Sequence, residues 1–311
     1  MKIAVMGSGG VGGFYGGRLA HAGYDVSFVA RGAHLEAMRE HGLKIENTTA
    51  GDLVVPRVNV TDRPETIGPA DLVLIAVKMW DTEAAAEAVR PIVGPDTAVL
   101  SLQNGVIKDD ILRRAFGDRA VLGGVGYVAT HIGRPGVISQ TGTLQRVVIG
   151  EYDGRRSERI AALHQAFTQA GVQAEISDDI RRTLWEKFVF LVGLSATTTT
   201  MRVAIGAIRE NPQTRRFLFD LMQETVSVGR AHGVKLPEDY AEQRLVFADT
   251  VPATMSSSMH HDLEHGNPLE VPWLSGGVVK LGEAVGVATP MNRAVWDILA
   301  LHAAGRKRGV R

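Results

Sequence analysis

The stretch that decides the fold lies at the start of the chain, where residues 2–31 have the sequence KIAVMGSGGVGGFYGGRLAHAGYDVSFVAR. An apolar run, a G-x-G-x-x-G segment, a small-residue helical pattern and a second apolar run follow one another. In such a unit the three glycines allow a tight turn, close approach of the backbone to a pyrophosphate, and close packing of helix on strand. The stretch therefore predicts a dinucleotide-binding β-α-β unit; a glycine-rich turn in some other α/β protein is the alternative. The predicted phosphate-binding residues are Gly7, Ser8, Gly9, Gly10, Val11 and Gly12.

The residue after the second apolar run distinguishes between the two dinucleotides. NAD binders usually place Asp or Glu there for the ribose 2′-hydroxyl, whereas NADP binders place an Arg near the 2′-phosphate. Arg31 follows the run with no acid beside it, and Asp25 stands at the other end of the run. Because a guanidinium is planar and permanently charged, it suits phosphate. The sequence favours NADP(H) as cofactor, with a solvated surface side chain as the alternative for Arg31.

Length and composition limit the classes of function. A chain of 311 residues suggests about two domains. Lys plus Arg and Asp plus Glu number 34 each, so no net charge attracts nucleic acid or an acidic membrane. With no cysteine, disulfides, thiolate zinc sites and cysteine nucleophiles are excluded. No basic-then-apolar leader precedes the first strand, and no apolar run reaches the ~18 residues of a spanning helix. We therefore expect a cytoplasmic protein without a membrane segment.

The order of apolar runs and helical patterns predicts two domains of different class. Apolar runs alternate with helical stretches in the first half, as in a doubly wound parallel sheet. After residue 180 the strand signal disappears, and helical stretches framed by proline and glycine follow. We predict an α/β fold with a Rossmann-like domain of residues 1–178 and an all-helical domain of residues 179–311, with Asp178-Asp179 as N-cap between them. The predicted strands are residues 2–6, 25–30, 72–76, 97–101, 121–125, 136–140, 145–150 and 172–176. The predicted helices include residues 157–170, 212–233, 252–266, 272–286 and 290–305, and one that Pro237 opens.

Three polar residues stand at places where chemistry is expected. Function in a doubly wound sheet gathers at the carboxyl ends of the strands. Lys78 follows the third buried strand, and Asn104 follows the fourth within Gln-Asn-Gly; a surface Lys and a turn-forming Asn are the alternatives. Lys187 lies beside an apolar stripe on the helix that opens the second domain. It is either a snorkelling side chain or a cation that polarises a carbonyl and supplies a proton.

Together with the segment Ser256-Ser257-Ser258-Met259-His260-His261-Asp262 and Glu270, these features resemble the ketopantoate reductase family. That family has an amino-terminal GxGxxG, an Arg after the second strand, a Lys after the third and a Gln-Asn-Gly after the fourth. A Trp-x-Lys helix, a Ser-Ser-Met-x-x-Asp segment and a Glu eight residues beyond follow. All seven features occur here in this order, from Gly7 to Glu270, and so span essentially the whole chain.

The resemblance implies that NADPH reduces the C2 carbonyl of a 2-oxo acid in a cleft between the domains. It implies that Lys187 is the general acid, that Asn104 positions nicotinamide and substrate, and that Lys78 lies along the cofactor. Ser258 would meet the substrate carboxylate, and Glu270 would contact the cofactor or Lys187. The family reaction takes 2-dehydropantoate to pantoate in pantothenate and coenzyme A biosynthesis. A homodimer formed through the helical domain is likewise an expectation from the family.

The expected substrate pocket departs from the family pattern. The family usually has Asn four, eight and eighteen residues after the catalytic Lys, where this chain has Leu191, Ser195 and Ile205. A site that hydrogen-bonds a substrate hydroxyl discriminates through its buried polar partners, so their loss matters. We expect Leu191 and Ser195 to contact a substrate that is a branched or more apolar 2-oxo acid, with 2-dehydropantoate as the default.

Two other functions and a metal site are weighed against this interpretation. A non-catalytic NADP(H)-sensing protein would need the fold without a proton donor, and an NADP-linked reductase of another ketone or an imine would share the two-domain plan. His261 and His265 are four residues apart on a predicted helix, with His260 beside them. Because two ligands on one helical face do not make a site, we predict no bound metal.

Overall fold

The structure is a computed structural model that describes residues 1–306. It divides into two compact units. The first contains Met1–Asn104 and Lys108–Thr183, and the second contains Gly105–Ile107 and the chain from Leu184 on. We predicted the division at residues 178/179. The last residues of the predicted second domain, 307–311, lie outside the described residues.

Within the described residues, the first unit is built on a ten-stranded sheet in the order β4-β3-β9-β8-β7-β6-β1-β2-β5, with β10 paired to β9. The strands from β8 to β5 in this order all run parallel, which confirms the predicted doubly wound, Rossmann-like sheet. The central strand β6 is buried on both faces, as its unbroken apolar sequence requires. The strands are β1 Lys2–Met6, β2 Asp25–Val29, β3 Leu43–Glu46, β4 Leu53–Val55, β5 Asn59–Thr61, β6 Leu72–Ile75, β7 Ala98–Ser101, β8 Val121–Arg134, β9 Val137–Gly150 and β10 Gln173–Ile176.

One part of the sheet differs from the prediction. Residues 121–125, 136–140 and 145–150 were predicted as three short strands, but β8 and β9 are 14 residues each and form one antiparallel hairpin. The second half of β8 and residues 141–144 of β9 are largely exposed, so they lack the apolar pattern on which the prediction depended. Backbone pairing with residues 137–140 of β9 holds the second half of β8 in the sheet, whereas residues 141–144 lie at a register shift between the two strands. The short strands β3, β4 and β5 were not predicted either.

Helices cover both faces of this sheet. Glycines let the first helix approach closely: a Cβ at Gly13 would lie 2.7 Å from Ile138, and one at Gly16 would lie 2.7 Å from Phe28. The Tyr15 hydroxyl donates to the carbonyl of Arg146 at 2.8 Å, which ties the helix to the hairpin. The sheet therefore curls around this helix. The helices are α1 Gly10–His21, α2 Gly32–His41, α3 Thr82–Val89, α4 Lys108–Phe116 and α5 Glu158–Gln169.

The second unit is helical, as predicted, around a separate hydrophobic core. Asp179 caps the long helix that leads into it, because its carboxylate accepts from the N–H of Arg182 at 3.0 Å. Asp178 instead pairs with Arg156 at 3.2 Å, so only one of the two predicted capping residues has that role. The helices are α6 Ile180–Met201, α7 Ile205–Glu210, α8 Pro212–Ala231, α9 Tyr240–Thr250, α10 Ser258–His265, α11 Ser275–Val285 and α12 Pro290–Leu299.

The predicted helix starts were wrong at three prolines. Pro252 lies in a turn, where its carbonyl accepts from Met255 N–H at 2.9 Å, and α10 begins only at Ser258. The helices expected from Pro237 and Pro272 begin at Tyr240 and Ser275. In each place the proline precedes the helix by several residues rather than standing in its first turn. Over residues 1–306, no helix combines the length and the apolar character needed to cross a membrane.

Candidate active site

The glycine-rich loop between β1 and α1 has the geometry that its sequence predicts. Gly7 adopts a φ of 95°, and a Cβ there would lie 2.7 Å from the Val77 side chain. A Cβ on Gly12 would overlap the carbonyl oxygen of Gly7, so helix and loop pack without room for a side chain. Around the Cβ position of Gly9 no atom lies within 4 Å. One glycine thus makes the turn, one permits packing, and one leaves the backbone open to a ligand.

The same loop is held from behind by side chains. The Ser8 hydroxyl donates to the Val29 carbonyl at 2.9 Å, at the end of β2. His34 Nδ1 accepts from the Gly136 N–H at 3.0 Å, so its Nε2–H donates to the Ser8 carbonyl at 2.9 Å. Burial lowers the pKa of His34, and the hydrogen bond to Ser8 opposes that shift. A neutral imidazole therefore braces the loop against the β8–β9 turn, a role that no sequence pattern around His34 predicts.

Arg31 lies at the carboxyl end of β2, where the ribose of a dinucleotide is expected. It is the N-cap residue of α2, and its side chain is exposed. Among residues 1–306, no carboxylate forms an ion pair with its guanidinium. Asp25 is the first residue of β2 and lies at the opposite edge of the sheet. The only charged group that β2 places at this edge is therefore a cation.

Lys78 and Asn104 follow adjacent parallel strands. Ile75 at the end of β6 pairs with Ser101 at the end of β7, so the two loops leave the sheet side by side. Lys78 is half-buried, with its Nζ 5.8 Å from the centre of the Trp80 ring, and Asn104 is half-buried as well. The strands β7, β6, β1 and β2 are consecutive in the sheet. The structure therefore brings Asn104, Lys78, the glycine loop and Arg31 to one edge of the first unit.

The predicted residues of the second unit lie mainly along α6. Lys187, Leu191 and Ser195 are spaced by four and share one face of the helix. Lys187 and Leu191 are half-buried, whereas Ser195 is only 1% exposed. Within the described residues, the Ser195 hydroxyl has no hydrogen-bond partner. A buried hydroxyl without a partner costs free energy, which a bound polar group would recover.

Ile205 does not belong with this face. It is fully buried in the helical core at the start of α7, and its N–H donates to the Met255 carbonyl at 2.9 Å. The structure therefore gives it a packing role.

The serine segment and Glu270 occupy distinct environments. Ser257 is the N-cap of α10: its hydroxyl accepts from His260 N–H at 3.1 Å and lies 2.9 Å from the Thr198 hydroxyl of α6. The neighbouring Ser258, predicted as a substrate contact, is the first helical residue and is exposed. Glu270 is 6% exposed, so its carboxyl group is buried in the second unit. Ser258 is therefore accessible, whereas the Ser257 hydroxyl forms the hydrogen bonds that cap α10 and join it to α6.

The histidines of α10 interact with nearby groups. His260 Nδ1 lies 2.6 Å from the Ser256 hydroxyl. The rings of His261 and His265 are 4.0 Å apart, and His265 Nδ1 bonds the His261 carbonyl at 2.8 Å. In the part of the chain that the structure describes, no group of three or more His, Asp or Glu side chains is arranged to hold a metal ion.

Comparison with known proteins agrees with both units. Residues 3–154 match the family described as ketopantoate reductase PanE/ApbA, and residues 179–303 match its C-terminal domain. A 2-dehydropantoate 2-reductase of Halobacterium salinarum is 34% identical over 304 residues, which cover 97% of this chain and 98% of that protein. An uncharacterized oxidoreductase of Bacillus subtilis is 30% identical over 309 residues, covering 98% of this chain and 99% of the relative.

Solved structures show the same fold. A PanE/ApbA family ketopantoate reductase from Ralstonia eutropha superposes with a TM-score of 0.88 at 36% identity, covering 97% of this chain and 98% of the other. A 2-dehydropantoate 2-reductase from Geobacter metallireducens gives 0.90 at 31% identity, with 97% and 99% coverage. The chain belongs to the ketopantoate reductase family, whose members are NADPH-using oxidoreductases that act on a CH–OH group.

Proposed function

We propose that this protein reduces a 2-oxo acid to the corresponding 2-hydroxy acid with NADPH. The observation that carries the proposal is the single sheet edge on which the glycine loop, Arg31, Lys78 and Asn104 meet. When bound, NADPH supplies the hydride. The open backbone at Gly9 and the amino terminus of α1 suit its pyrophosphate, and the unpaired cation of Arg31 suits its 2′-phosphate.

The remaining residues of this edge orient the cofactor. We assign the ammonium of Lys78 a place along the dinucleotide, where its charge attracts phosphate or ribose oxygens. Asn104 carries both a donor and an acceptor, so it can hold the nicotinamide carboxamide and the substrate together. Holding the reacting groups in one geometry is itself a large part of catalysis, because it removes the entropic cost of bringing them together.

Lys187 supplies the proton in this proposal. Hydride transfer to a carbonyl carbon leaves negative charge on the oxygen, and a nearby ammonium stabilises that charge and then neutralises it by proton donation. We assign the buried carboxyl group of Glu270 a contact with the cofactor or with Lys187. The exposed hydroxyl of Ser258 is assigned to the substrate carboxylate.

The face of α6 argues for a substrate other than 2-dehydropantoate. Leu191 offers no hydrogen bond to a substrate hydroxyl, and Ser195 offers one short hydroxyl where the family usually has an amide. Losing polar partners lowers the preference for a hydroxylated substrate. We therefore propose a branched 2-oxo acid with an apolar side chain.

Turnover with matched acids tests the proposal. NADPH oxidation is followed by absorbance with 2-dehydropantoate and with trimethylpyruvate, which lacks only the side-chain hydroxyl; pyruvate is the unbranched control. We expect one NADPH oxidised per 2-hydroxy acid formed, with kcat/KM for trimethylpyruvate at least equal to that for 2-dehydropantoate.

The altered α6 face also favours a second candidate, a non-catalytic NADP(H)-sensing protein. Such a protein would bind NADPH tightly and oxidise none with any oxo acid, ketone or imine. The retained Lys187 argues against it, since a sensor has no need of a proton donor. Cofactor fluorescence measured alongside turnover separates the two functions.

A further inference from the structure

A chain of buried hydrogen bonds joins the two loops that carry Lys78 and Asn104. The Thr82 hydroxyl donates to the Met79 carbonyl at 2.8 Å, in the loop after β6. Gln103 Nε2 donates to the Thr82 oxygen at 2.8 Å, across to the loop after β7. The Ser101 hydroxyl in turn donates to Gln103 Oε1 at 2.9 Å. Both ends of the Gln103 amide are therefore used, which fixes its orientation.

These hydrogen bonds are anchored on a buried ion pair at the base of the loop after β7. Lys108 Nζ donates to the Ser101 carbonyl at 2.8 Å and to the two Asp109 oxygens at 2.9 and 3.0 Å. The Tyr152 hydroxyl donates to Asp109 at 2.6 Å. Burial lowers the pKa of Lys108 and raises the pKa of Asp109, and the attraction between the two charges opposes both shifts. Because the network leaves Lys108 with three acceptors, it holds the two ends of the loop, Ser101 and Lys108, at a fixed separation.

The side chains that connect the two loops are buried. Thr82 and Ser101 have no exposed surface, and Gln103 is 7% exposed. A buried donor or acceptor that loses its partner is costly, so the native rotamers are strongly preferred. The backbone bond from Leu102 N–H to the Ile75 carbonyl, 3.1 Å long, joins β6 and β7 at the edge itself. Beyond the strand ends, the Gln103–Thr82 bond joins the loop after β7 to the segment after β6.

We propose that Thr82 and Gln103 are positioning residues that keep Lys78 and Asn104 in register along the cofactor. Thr82 bonds the carbonyl of Met79, which directly follows Lys78 in the sequence. Gln103 directly precedes Asn104. The inference rests on the proposed function, since it takes Lys78 and Asn104 to lie along NADPH. Neither Thr82 nor Gln103 touches the reacting atoms in this account; each acts through its neighbour.

Three threonine variants test the proposal. Thr82→Val removes the hydroxyl at nearly constant volume, and Thr82→Ser restores it. Thr97→Val is the matched control, since Thr97 is 4% exposed, donates to the Ala70 carbonyl at 2.6 Å and accepts from Gly94 N–H at 2.8 Å. It stands before the first residue of β7, at the opposite edge of the sheet. Each variant is measured for thermal stability, for the Kd of NADPH, and for kcat and KM.

Thr82→Val should raise the Kd and KM for NADPH about tenfold, because a small misplacement of aligned groups is costly. Thr82→Ser should stay near the wild type. Thr97→Val should lose as much thermal stability as Thr82→Val with the cofactor constants unchanged. If Thr82→Val and Thr97→Val alter the cofactor constants equally, or neither alters them, the positioning role is wrong. Gln103→Met removes the same link from the other side and replaces Thr82→Val if that variant does not fold.

Hydrogen exchange separates this inference from the proposed function. Amides of residues 77–81 and 102–104 should both exchange faster in Thr82→Val, and neither loop should change in Thr97→Val. Wild-type protein that fails to bind NADPH would contradict the proposed function, and the exchange rates alone would then decide whether the bond couples the loops. Unchanged exchange in both loops would overturn the coupling itself.

Discussion

The two units present their candidate functional residues in different ways. In the first, the positions are set by the backbone: the glycine loop, Arg31, Lys78 and Asn104 all follow directly from strand ends. In the second, Lys187, Leu191 and Ser195 are side chains on one face of a regular helix. A change of side chain on that face leaves the helix intact, whereas a Cβ on Gly12 would overlap the carbonyl of Gly7.

This difference explains where the chain keeps the family pattern and where it departs from it. The glycine loop and the buried residues behind Lys78 and Asn104 are constrained by sterics and by hydrogen bonds, so substitutions at those buried positions disturb the fold itself. The α6 face can vary because the backbone geometry of a helix depends little on which side chains that face carries. We therefore expect the cofactor-binding loops to tolerate fewer substitutions than the α6 face, and we expect substrate choice to be easier to change than cofactor use.

The largest effect is expected on kcat, when Lys187 of the second unit is replaced. Lys187→Ala should lower kcat about 10²- to 10⁴-fold, the usual contribution of a positioned general acid. The Kd for NADPH should stay within about threefold, because the groups proposed to bind the pyrophosphate and the 2′-phosphate belong to the other unit. Stopped-flow oxidation of bound NADPH and a fluorescence titration measure the two quantities separately. A variant that oxidises NADPH at the wild-type rate would remove Lys187 as the proton donor.

The next largest effect is expected on the Kd for NADPH, when Arg31 of the first unit is replaced. Arg31→Ala should raise the Kd for NADPH about 10- to 100-fold, since hydrogen bonds to a charged group contribute about 1.5–3 kcal/mol. The Kd for NADH, which has no 2′-phosphate, should barely change. Arg114→Ala, on an exposed position of α4, is the control for a general loss of positive charge. Equal weakening of both cofactors would contradict the NADP assignment.

A smaller effect should follow from restoring the family amide on α6. Leu191→Asn should shift the kcat/KM ratio about tenfold from trimethylpyruvate toward 2-dehydropantoate, because a new polar partner meets the substrate hydroxyl. Leu245→Asn removes a similar half-buried leucine from α9 and should leave the ratio unchanged. A ratio that stays constant in both variants would show that this face does not select the substrate.

The smallest effect concerns the brace behind the glycine loop. Burial lowers the pKa of His34 from its ordinary 6.5, so the neutral ring's contribution is fully present above pH 6.5 and is lost as the pH falls below that value. His34→Gln removes this titration. Between neutral pH and pH about 5.5, the Tm of the wild type should fall further than that of the variant, by about 2 °C. His302→Gln, at an exposed site, should follow the wild type; identical pH profiles for all three proteins would exclude the brace.

The sequence predicted what local patterns determine. Residues 2–31 carry β1, α1 and β2 in one continuous signal, and the buried strands β6 and β7 place Lys78 and Asn104 by direct succession. The β8–β9 hairpin was wrongly divided because the second half of β8 and residues 141–144 of β9 are exposed and show no apolar alternation, and the start of α10 was misplaced because a proline turn precedes it. Local patterns describe neither feature.

The supporting contacts of the site could not be predicted for a related reason. His34 reaches a backbone N–H that is 102 residues away in sequence, and Gln103 bonds a hydroxyl 21 residues away. Such partners meet only after the sheet has formed. Gln103 is part of the Gln-Asn-Gly segment, but we predicted a functional role only for its neighbour Asn104. Thr82 and Lys108 gave no signal, since an isolated Thr or Lys has no pattern that marks it as buried.

The most direct test of the account is the distance between Lys187 Nζ and the carbonyl oxygen of a 2-oxo acid in a crystal structure with NADP and that acid bound. We expect about 2.6–3.2 Å, within reach for proton donation, with the nicotinamide ring against the opposite side of the same carbonyl carbon. A bound acid whose carbonyl oxygen lies far from Lys187, with that ammonium directed into solvent, would exclude Lys187 as the proton donor.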